Sequence, residues 1–265
     1  MKKAGILLII LLLPFGGFCQ TRADSIRAIL LDPHDRTVLV ASHRGVWTDV
    51  PENSSASIQA AIAAGAHIVE IDVRKTLSGK LILHHGPVLF GPSDATTLEE
   101  ALLTAKGRIM VNVDKAFGLF DEIVEIAERT GTLDHIIFKG NVQAAKALDV
   151  LGDYFGKVIF MPVVNLCNGG ALARIEDYMQ RLNPPVFECV FRDDTDPVVT
   201  IARARLAGHC RIWINTMWGS LCGGHDDNVS RDDPETGYGW LIRELGTSVM
   251  QTDATAYLVN YLNKN

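Results

Sequence analysis

No surplus of positive charge, no closely spaced cysteine pair and no biased tract occurs in this 265-residue chain. Each absence excludes something. With 25 Lys and Arg against 31 Asp and Glu, the formal charge is −6, so the chain lacks the basic face needed to neutralise nucleic-acid phosphates. Its five cysteines show no C-x-x-C spacing, which excludes the common zinc patterns. A composition 48% apolar and 21% charged, with no repeat or linker, excludes disordered, collagen-like and coiled-coil architectures. Runs long enough to span a bilayer are also missing: Ala4 to Leu13 is ten residues, about half of the roughly 20 required.

That run follows Lys2 and Lys3 and is broken by Pro14, Gly16 and Gly17, which is the layout of a signal peptide. Small Gly17 and Cys19 then stand at −3 and −1 of a cut before Gln20. A lipoprotein anchor at Cys19 is the rival reading, but bulky Phe18 fits it badly. The expectation is residues 1–19 as leader and 20–265 as one exported domain, periplasmic or secreted, with no stable membrane insertion. Export permits disulfides, yet the spacing of Cys167, Cys189, Cys210 and Cys222 assigns no pairing, and Cys189 in an apolar run reads as a buried thiol. The oligomeric state is left open.

Nine apolar, strand-like runs follow, at 38–42, 67–73, 81–84, 109–113, 136–138, 158–161, 186–191, 212–215 and 248–251. Helix-like stretches at 54–64, 98–105, 120–130, 142–151, 171–181, 198–207, 239–245 and 254–262 separate most of them. That alternation predicts βα units with parallel strands. One run departs from it. Seven residues, including Ser78-Gly79, part Val73 from Leu81, whereas a parallel crossover needs a dozen or more. The run at 81–84 must therefore turn back antiparallel. Eight βα units remain, the number that closes a (β/α)8 TIM-type barrel, here with an extra hairpin strand at the C-terminal rim. Chemistry in such barrels sits at the C-terminal strand ends.

The first strand ends Ser42-His43-Arg44-Gly45. An imidazole transfers protons near neutrality, and a guanidinium fork suits a phosphate. In the second strand Glu70 and Asp72 are two apart and share a face. Two buried like charges side by side are costly, and a divalent cation relieves that cost. The third barrel strand ends Asn112-Val113-Asp114 and adds a third carboxylate beside the pair. One cation, Mg2+ or Ca2+, is the expected cofactor. The hairpin strand delivers His84-His85, of which only one can face the centre. Lys139, at the end of the fourth barrel strand, is a candidate phosphate contact, and mid-strand Glu188 is a candidate partner for Lys139 or Arg192. Metal and Arg44 to neutralise phosphodiester oxygens, with imidazoles to move protons, point to phosphodiester cleavage of a small molecule.

His43-Arg44-Gly45, Pro51-Glu52-Asn53-Ser54, Ala64-Gly65-Ala66 leading into Glu70-x-Asp72, then Ser78-Gly79 and His85, in this order, resemble the glycerophosphodiester phosphodiesterase family. The resemblance continues through Thr97-Leu98-Glu99-Glu100, Asn112-x-Asp114 and the closing Gly246 to Asp253 with its Thr-Asp turn. It implies a TIM-type barrel and metal-dependent release of glycerol 3-phosphate and an alcohol. Carried over by position, His43 and His85 are the catalytic pair, Arg44 binds phosphate, and Glu70, Asp72 and Asp114 hold the metal. Glu52 orders Arg44 or the metal's surroundings, with helix capping as its other reading.

The chain also departs from the family. Gly86 follows His85 where the family has Asp. Asp114 replaces the usual Glu, as in the related sphingomyelinase D-like branch. The family's Lys two residues beyond that acid is missing, and Lys115, one residue beyond, is expected to point elsewhere. Only eleven residues, 86–96, stand where the family inserts a segment over the glycerol site. The long stretch 216–236 is expected to hang over the mouth instead, with Trp218 and His225 lining the substrate pocket. Two other readings stay open: a phospholipase- or sphingomyelinase D-like phosphotransferase forming a cyclic phosphate, and an inactive barrel that binds phosphorylated ligands. The lack of a basic amphipathic stretch counts against the first, and the acid–base pair against the second.

Overall fold

Eight parallel strands close on themselves in the computed structural model, which describes residues 20–89 and 91–264. In chain order the strands are β1 (Leu39–His43), β2 (Ile68–Lys75), β3 (Leu81–Leu83), β4 (Met110–Asp114), β5 (Ile136–Gly140), β6 (Ile159–Asn165), β7 (Val186–Val190), β8 (Arg211–Asn215) and β9 (Val249–Thr252). The ring runs β1-β9-β8-β7-β6-β5-β4-β2 and closes through β1 and β2, where His43 lies opposite Glu70. The expected hairpin is present outside the ring. β2 spends its first five residues on β4 and its last three on β3, with Val73 opposite Leu83 and Lys75 opposite Leu81. The expected leader, residues 1–19, and the rival anchor at Cys19 lie outside the described residues.

Strand alternation sorts the core into two shells. Leu39, Ala41, Ile68, Met110, Ile137, Val186, Trp213 and Val249 fill the barrel interior, and their neighbours Val40, Val69, Ile71, Val111, Val113, Phe138, Phe187 and Met250 face the helices. The same alternation turns Glu70, Asp72, Asn112, Asp114, Lys139 and Glu188 inward. The surrounding helices are α1 (Arg22–Leu31), α2 (Ser55–Ala63), α3 (Leu98–Ala105), α4 (Phe120–Thr130), α5 (Ala144–Leu151), α6 (Ala171–Arg181), α7 (Pro197–Leu206), α8 (Asp227–Asp232) and α9 (Thr255–Leu262). No helix among the described residues is long and apolar enough to cross a membrane.

Two elements differ from the sequence expectation. α1 was not foreseen. It starts at a reciprocal Thr21–Asp24 cap and packs Ile26 and Leu30 into the barrel's inner shell, closing its lower end. The helix expected at 239–245 is instead two π-helical stretches, Glu235–Gly239 and Leu241–Leu245. Gly237 lets the first of them lie against α8: a Cβ there would sit 2.8 Å from the Ser230 Cα, so only glycine allows this close approach. The four cysteines at 167, 189, 210 and 222 are free thiols, and the last three are buried.

Candidate active site

β2 and β4 pair in a register that sets Asp72 opposite Asp114 and Glu70 opposite Asn112. Glu70, Asp72 and Asp114 therefore each offer an oxygen within 4.8 Å of the others at the C-terminal mouth. Glu70 is fully buried and receives one direct N–H, from the Arg44 backbone at 3.1 Å. Burial pushes its pKa up, against the pull of Lys139 and His43.

Asp72 is more heavily engaged. Lys115 Nζ reaches its Oδ1 at 2.8 Å, while Arg44 Nε and Asn53 Nδ2 reach Oδ2 at 3.2 and 3.0 Å. Burial alone would raise its pKa, but the Lys115 and Asn53 hydrogen bonds outweigh it and leave the group below its usual range. All three partners share one backbone feature. Arg44, Asn53 and Lys115 have φ values of 57°, 53° and 57°, and they are three of the four non-glycine residues at positive φ among the described residues. Strain of this kind persists where surrounding contacts hold it. Here it is spent on bending three loop residues back onto one carboxylate. Lys115 thus corrects the sequence expectation: its left-handed backbone returns the side chain to the site rather than away from it.

Glu52 does order Arg44, through a 2.9 Å ion pair at Nη1. Gly45 then lets the chain leave β1. Its φ is 79°, and a Cβ would stand 2.6 Å from the carbonyl carbon, carbonyl oxygen and hydroxyl of Ser57. Lys139 is buried between Asp114 Oδ2 at 3.1 Å and Glu188 Oε2 at 3.2 Å. Burial pulls its pKa down, but Glu188, Asp114 and Glu70 together raise it, so the ammonium stays charged. The expected Lys139–Glu188 pairing is present, and Asn215 Nδ2 holds the other Glu188 oxygen at 2.9 Å.

His43 is buried, with Nδ1 2.8 Å from Asp253 Oδ1 and Nε2 4.0 Å from Glu70 Oε2. Trp218, half exposed, sets its ring edge-on to His43 at 6.0 Å between centroids. His85 lies exposed on the rim. Slight burial and the charges of Arg44 and Lys115 lower its pKa from the ordinary histidine value, against the pull of Asp72 and Glu52, which favours the neutral ring. His84 is tied to the Gly86 carbonyl. His225 is taken up by loop contacts: Nδ1 on the Thr236 carbonyl, Nε2 on Asp194, and one face stacked on Trp240 at 3.9 Å. No ring nitrogen is left there for a ligand.

Sequence reasoning did not single out Asn53 or Asp253. Both stand in quoted motifs, Pro51-Glu52-Asn53-Ser54 and the closing Thr-Asp turn, and that was the available signal. The carboxylate trio fits a divalent cation. Its donors are hard oxygens at mutual distances one ion can bridge, and the buried Glu70 carboxylate has no ion-pair partner nearer than His43 Nε2 at 4.0 Å among the described ion pairs.

A parallel barrel with its charged groups gathered at one mouth defines a (β/α)8 enzyme, and similar solved structures share the architecture. A glycerophosphoryl diester phosphodiesterase from Parabacteroides distasonis superposes with a TM-score of 0.69 at 17% identity, covering 91% of this chain and 92% of that one. One from Thermotoga maritima gives 0.62 at 20%, covering 84% and 98%. An Oleispira antarctica phosphodiesterase, solved in complex with the product sn-glycerol-3-phosphate, gives 0.60 at 16%, covering 88% and 99%. No curated protein matches the sequence. Residues 160–262 match a family model described as a domain of unknown function. Residues 43–102, which carry His43, Arg44, Glu70, Asp72 and His85, match the model of the glycerophosphoryl diester phosphodiesterase family. Over that stretch the chain is similar to this family of phosphoric diester hydrolases, and its barrel has the fold of the family's solved structures.

Proposed function

We propose that the protein hydrolyses a glycerophosphodiester to glycerol 3-phosphate and an alcohol, with His43 and His85 moving the protons and Glu70, Asp72 and Asp114 holding one Mg2+ or Ca2+. The observation that carries this reading is the close set of three carboxylates beside an imidazole whose far nitrogen is anchored. When bound, the cation supplies Lewis-acid polarisation of a phosphoryl oxygen. The chain's own residues do the rest. Arg44, braced by Glu52, turns its remaining N–H donors to the phosphate. Lys139 and Lys115 add positive charge beneath the phosphate. Asp253 at Nδ1 favours the tautomer that leaves Nε2 of His43 free to take a proton, and neutral His85 serves the opposite side of the substrate. Trp218 forms an apolar wall of the pocket. The glycerol 3-phosphate complex of the Oleispira antarctica relative supports the choice of product. With the leader proposed for residues 1–19, the substrate is met outside the cytoplasm.

The test is a panel of glycerophosphodiesters incubated with the purified protein, with and without chelator. Glycerol 3-phosphate should form, cease with chelator and return with Mg2+ or Ca2+. A cyclic phosphate product would replace hydrolysis with intramolecular phosphotransfer, and silence across the panel would sink the reading.

A further inference from the structure

The segment between β8 and β9 carries a buried carboxylate that the proposed reaction does not use. Asp227, the first residue of α8, gathers four donors from three different places. Its Oδ1 accepts the hydroxyls of Thr216 at 2.6 Å, Tyr238 at 2.8 Å and Thr252 at 2.8 Å. Its Oδ2 accepts the backbone N–H of Asp253 at 2.9 Å. Thr216, Tyr238 and Thr252 are fully buried. No basic side chain pairs with this carboxylate among the described ion pairs. Burial raises its pKa, although the three hydroxyls and the Asp253 amide pull the other way. Tyr238 stays a protonated donor because burial and Asp227 both push its phenol upward.

A buried carboxylate that spends four donors is an expensive way to hold a loop, since apolar packing would do so without desolvating a charge. What it holds is the informative part. Asp253 is the residue whose side chain meets His43 Nδ1, and its side chain is about a third exposed. A partly exposed aspartate just past a strand end has several rotamers. Fixing its N–H fixes the direction from which its carboxylate reaches the imidazole. Thr252 is clamped on the same carboxylate from one side and accepts the Ala254 N–H on the other, so both neighbours of Asp253 are held.

We infer that Asp227 is a positioning residue for His43, acting through the Asp253 backbone. The segment after β8 thereby helps set the imidazole as well as placing Trp218 at the mouth. The inference rests on the proposed role of His43, but its geometry can be read without turnover.

The experiment uses 15N-histidine-labelled full-length protein at one fixed pH. An Nδ1–H bonded to Asp253 exchanges slowly and gives a downfield imidazole proton resonance, which Asp253→Ala assigns by losing it. Asp227→Asn keeps the size of the side chain but presents an amide N–H or a weaker acceptor to the Asp253 amide. The expected result is loss or broadening of the His43 signal in Asp227→Asn and its retention in Thr216→Val, which takes a donor from the same carboxylate without touching Asp253. If turnover is present, kcat should fall about ten- to a hundredfold, in the range of losing an outer partner, with KM little changed. An unaltered His43 signal in folded Asp227→Asn overturns the inference, and so does absence of the signal in the wild type. Should Asp227→Asn fail to fold, amide exchange in the wild type decides. The Asp253 N–H must be protected, and exchange at the rate of a free loop amide overturns the inference.

Discussion

His43 and Asp253 stand 210 residues apart in the chain, yet their side chains meet at 2.8 Å between Nδ1 and Oδ1. Ring closure is the cause. β1 and β9 are neighbours, with Ser42 opposite Thr252, so the next residues, His43 at the end of β1 and Asp253 just past β9, leave the barrel side by side. An aspartate on one imidazole nitrogen fixes the tautomer and aims the other nitrogen.

Asp253→Ala should therefore lower kcat by about 10²-fold or more, within the span that positioned acid–base groups contribute. KM should stay near the wild-type value, because Arg44 and the carboxylate trio are untouched. Steady-state kinetics on the substrate that the panel identifies provides the check. A kcat within twofold of wild type would remove Asp253 from the mechanism.

His85 is separable from cation binding. Its backbone carbonyl meets Arg74 and Lys115, but its ring carries no hydrogen bond to the carboxylate trio. His85→Ala should cost about 10²–10⁴-fold in turnover while calorimetric affinity for Mg2+ or Ca2+ stays close to wild type. Asp114→Asn should show the reverse emphasis, with affinity falling first. Full activity in His85→Ala would refute its role as acid or base.

Asn53 offers a test of how Asp72 is held. Its amide donates to Asp72 Oδ2 at 3.0 Å, and its carbonyl accepts the Asp72 backbone N–H at 2.9 Å, both out of solvent. Asn53→Ala strands a buried N–H and keeps the positive φ that asparagine tolerates better than alanine. The expected loss is about 2–3 kcal/mol, or a melting point lower by roughly 5–10 °C at this chain length. Weaker cation binding should accompany it, since Asp72 loses its fixed orientation. An unchanged melting curve would show that Asn53 only follows the loop.

These residues also mark how far the sequence could be read. The antiparallel turn between β2 and β3 was legible because seven residues cannot make a parallel crossover. The barrel followed from counting the remaining units. Glu70, Asp72 and Asp114 could be grouped because strand alternation and strand adjacency are regular. Asn53, Lys115 and Asp253 were not legible as partners of Asp72 and His43. The first two reach Asp72 through left-handed backbone at strand or loop ends, a conformation that no periodic pattern announces. Asp253 depends on the first and last strands meeting, which is a property of the closed ring and not of any local stretch. His225 shows the converse, a conspicuous residue in a long segment whose ring is used up by that segment's own packing.

The clearest pH signature in the fold lies away from the mouth, at His67. Its Nδ1 accepts the Val40 backbone N–H at 3.0 Å, which requires the neutral ring. Burial, and then the positive charge of Arg22, pull its pKa from 6.5 down to about 4. The unfolded chain therefore binds a proton between pH 6.5 and about 4 that the folded protein refuses, and stability must rise with pH across that window. The contribution is fully present above pH 6.5 and is lost as pH falls through the window. It amounts to at most about 3 kcal/mol, less whatever solvent reaches the half-buried ring. Carboxylates elsewhere also titrate near the lower end, so the informative quantity is a difference. Urea midpoints should be measured from pH 7.5 to 4.5 for wild type and for His67→Gln, whose side chain can accept the same N–H without titrating. The variant should show a flatter fall between pH 6.5 and 5, and parallel curves for the two proteins would mean that His67 takes up its proton as easily folded as unfolded.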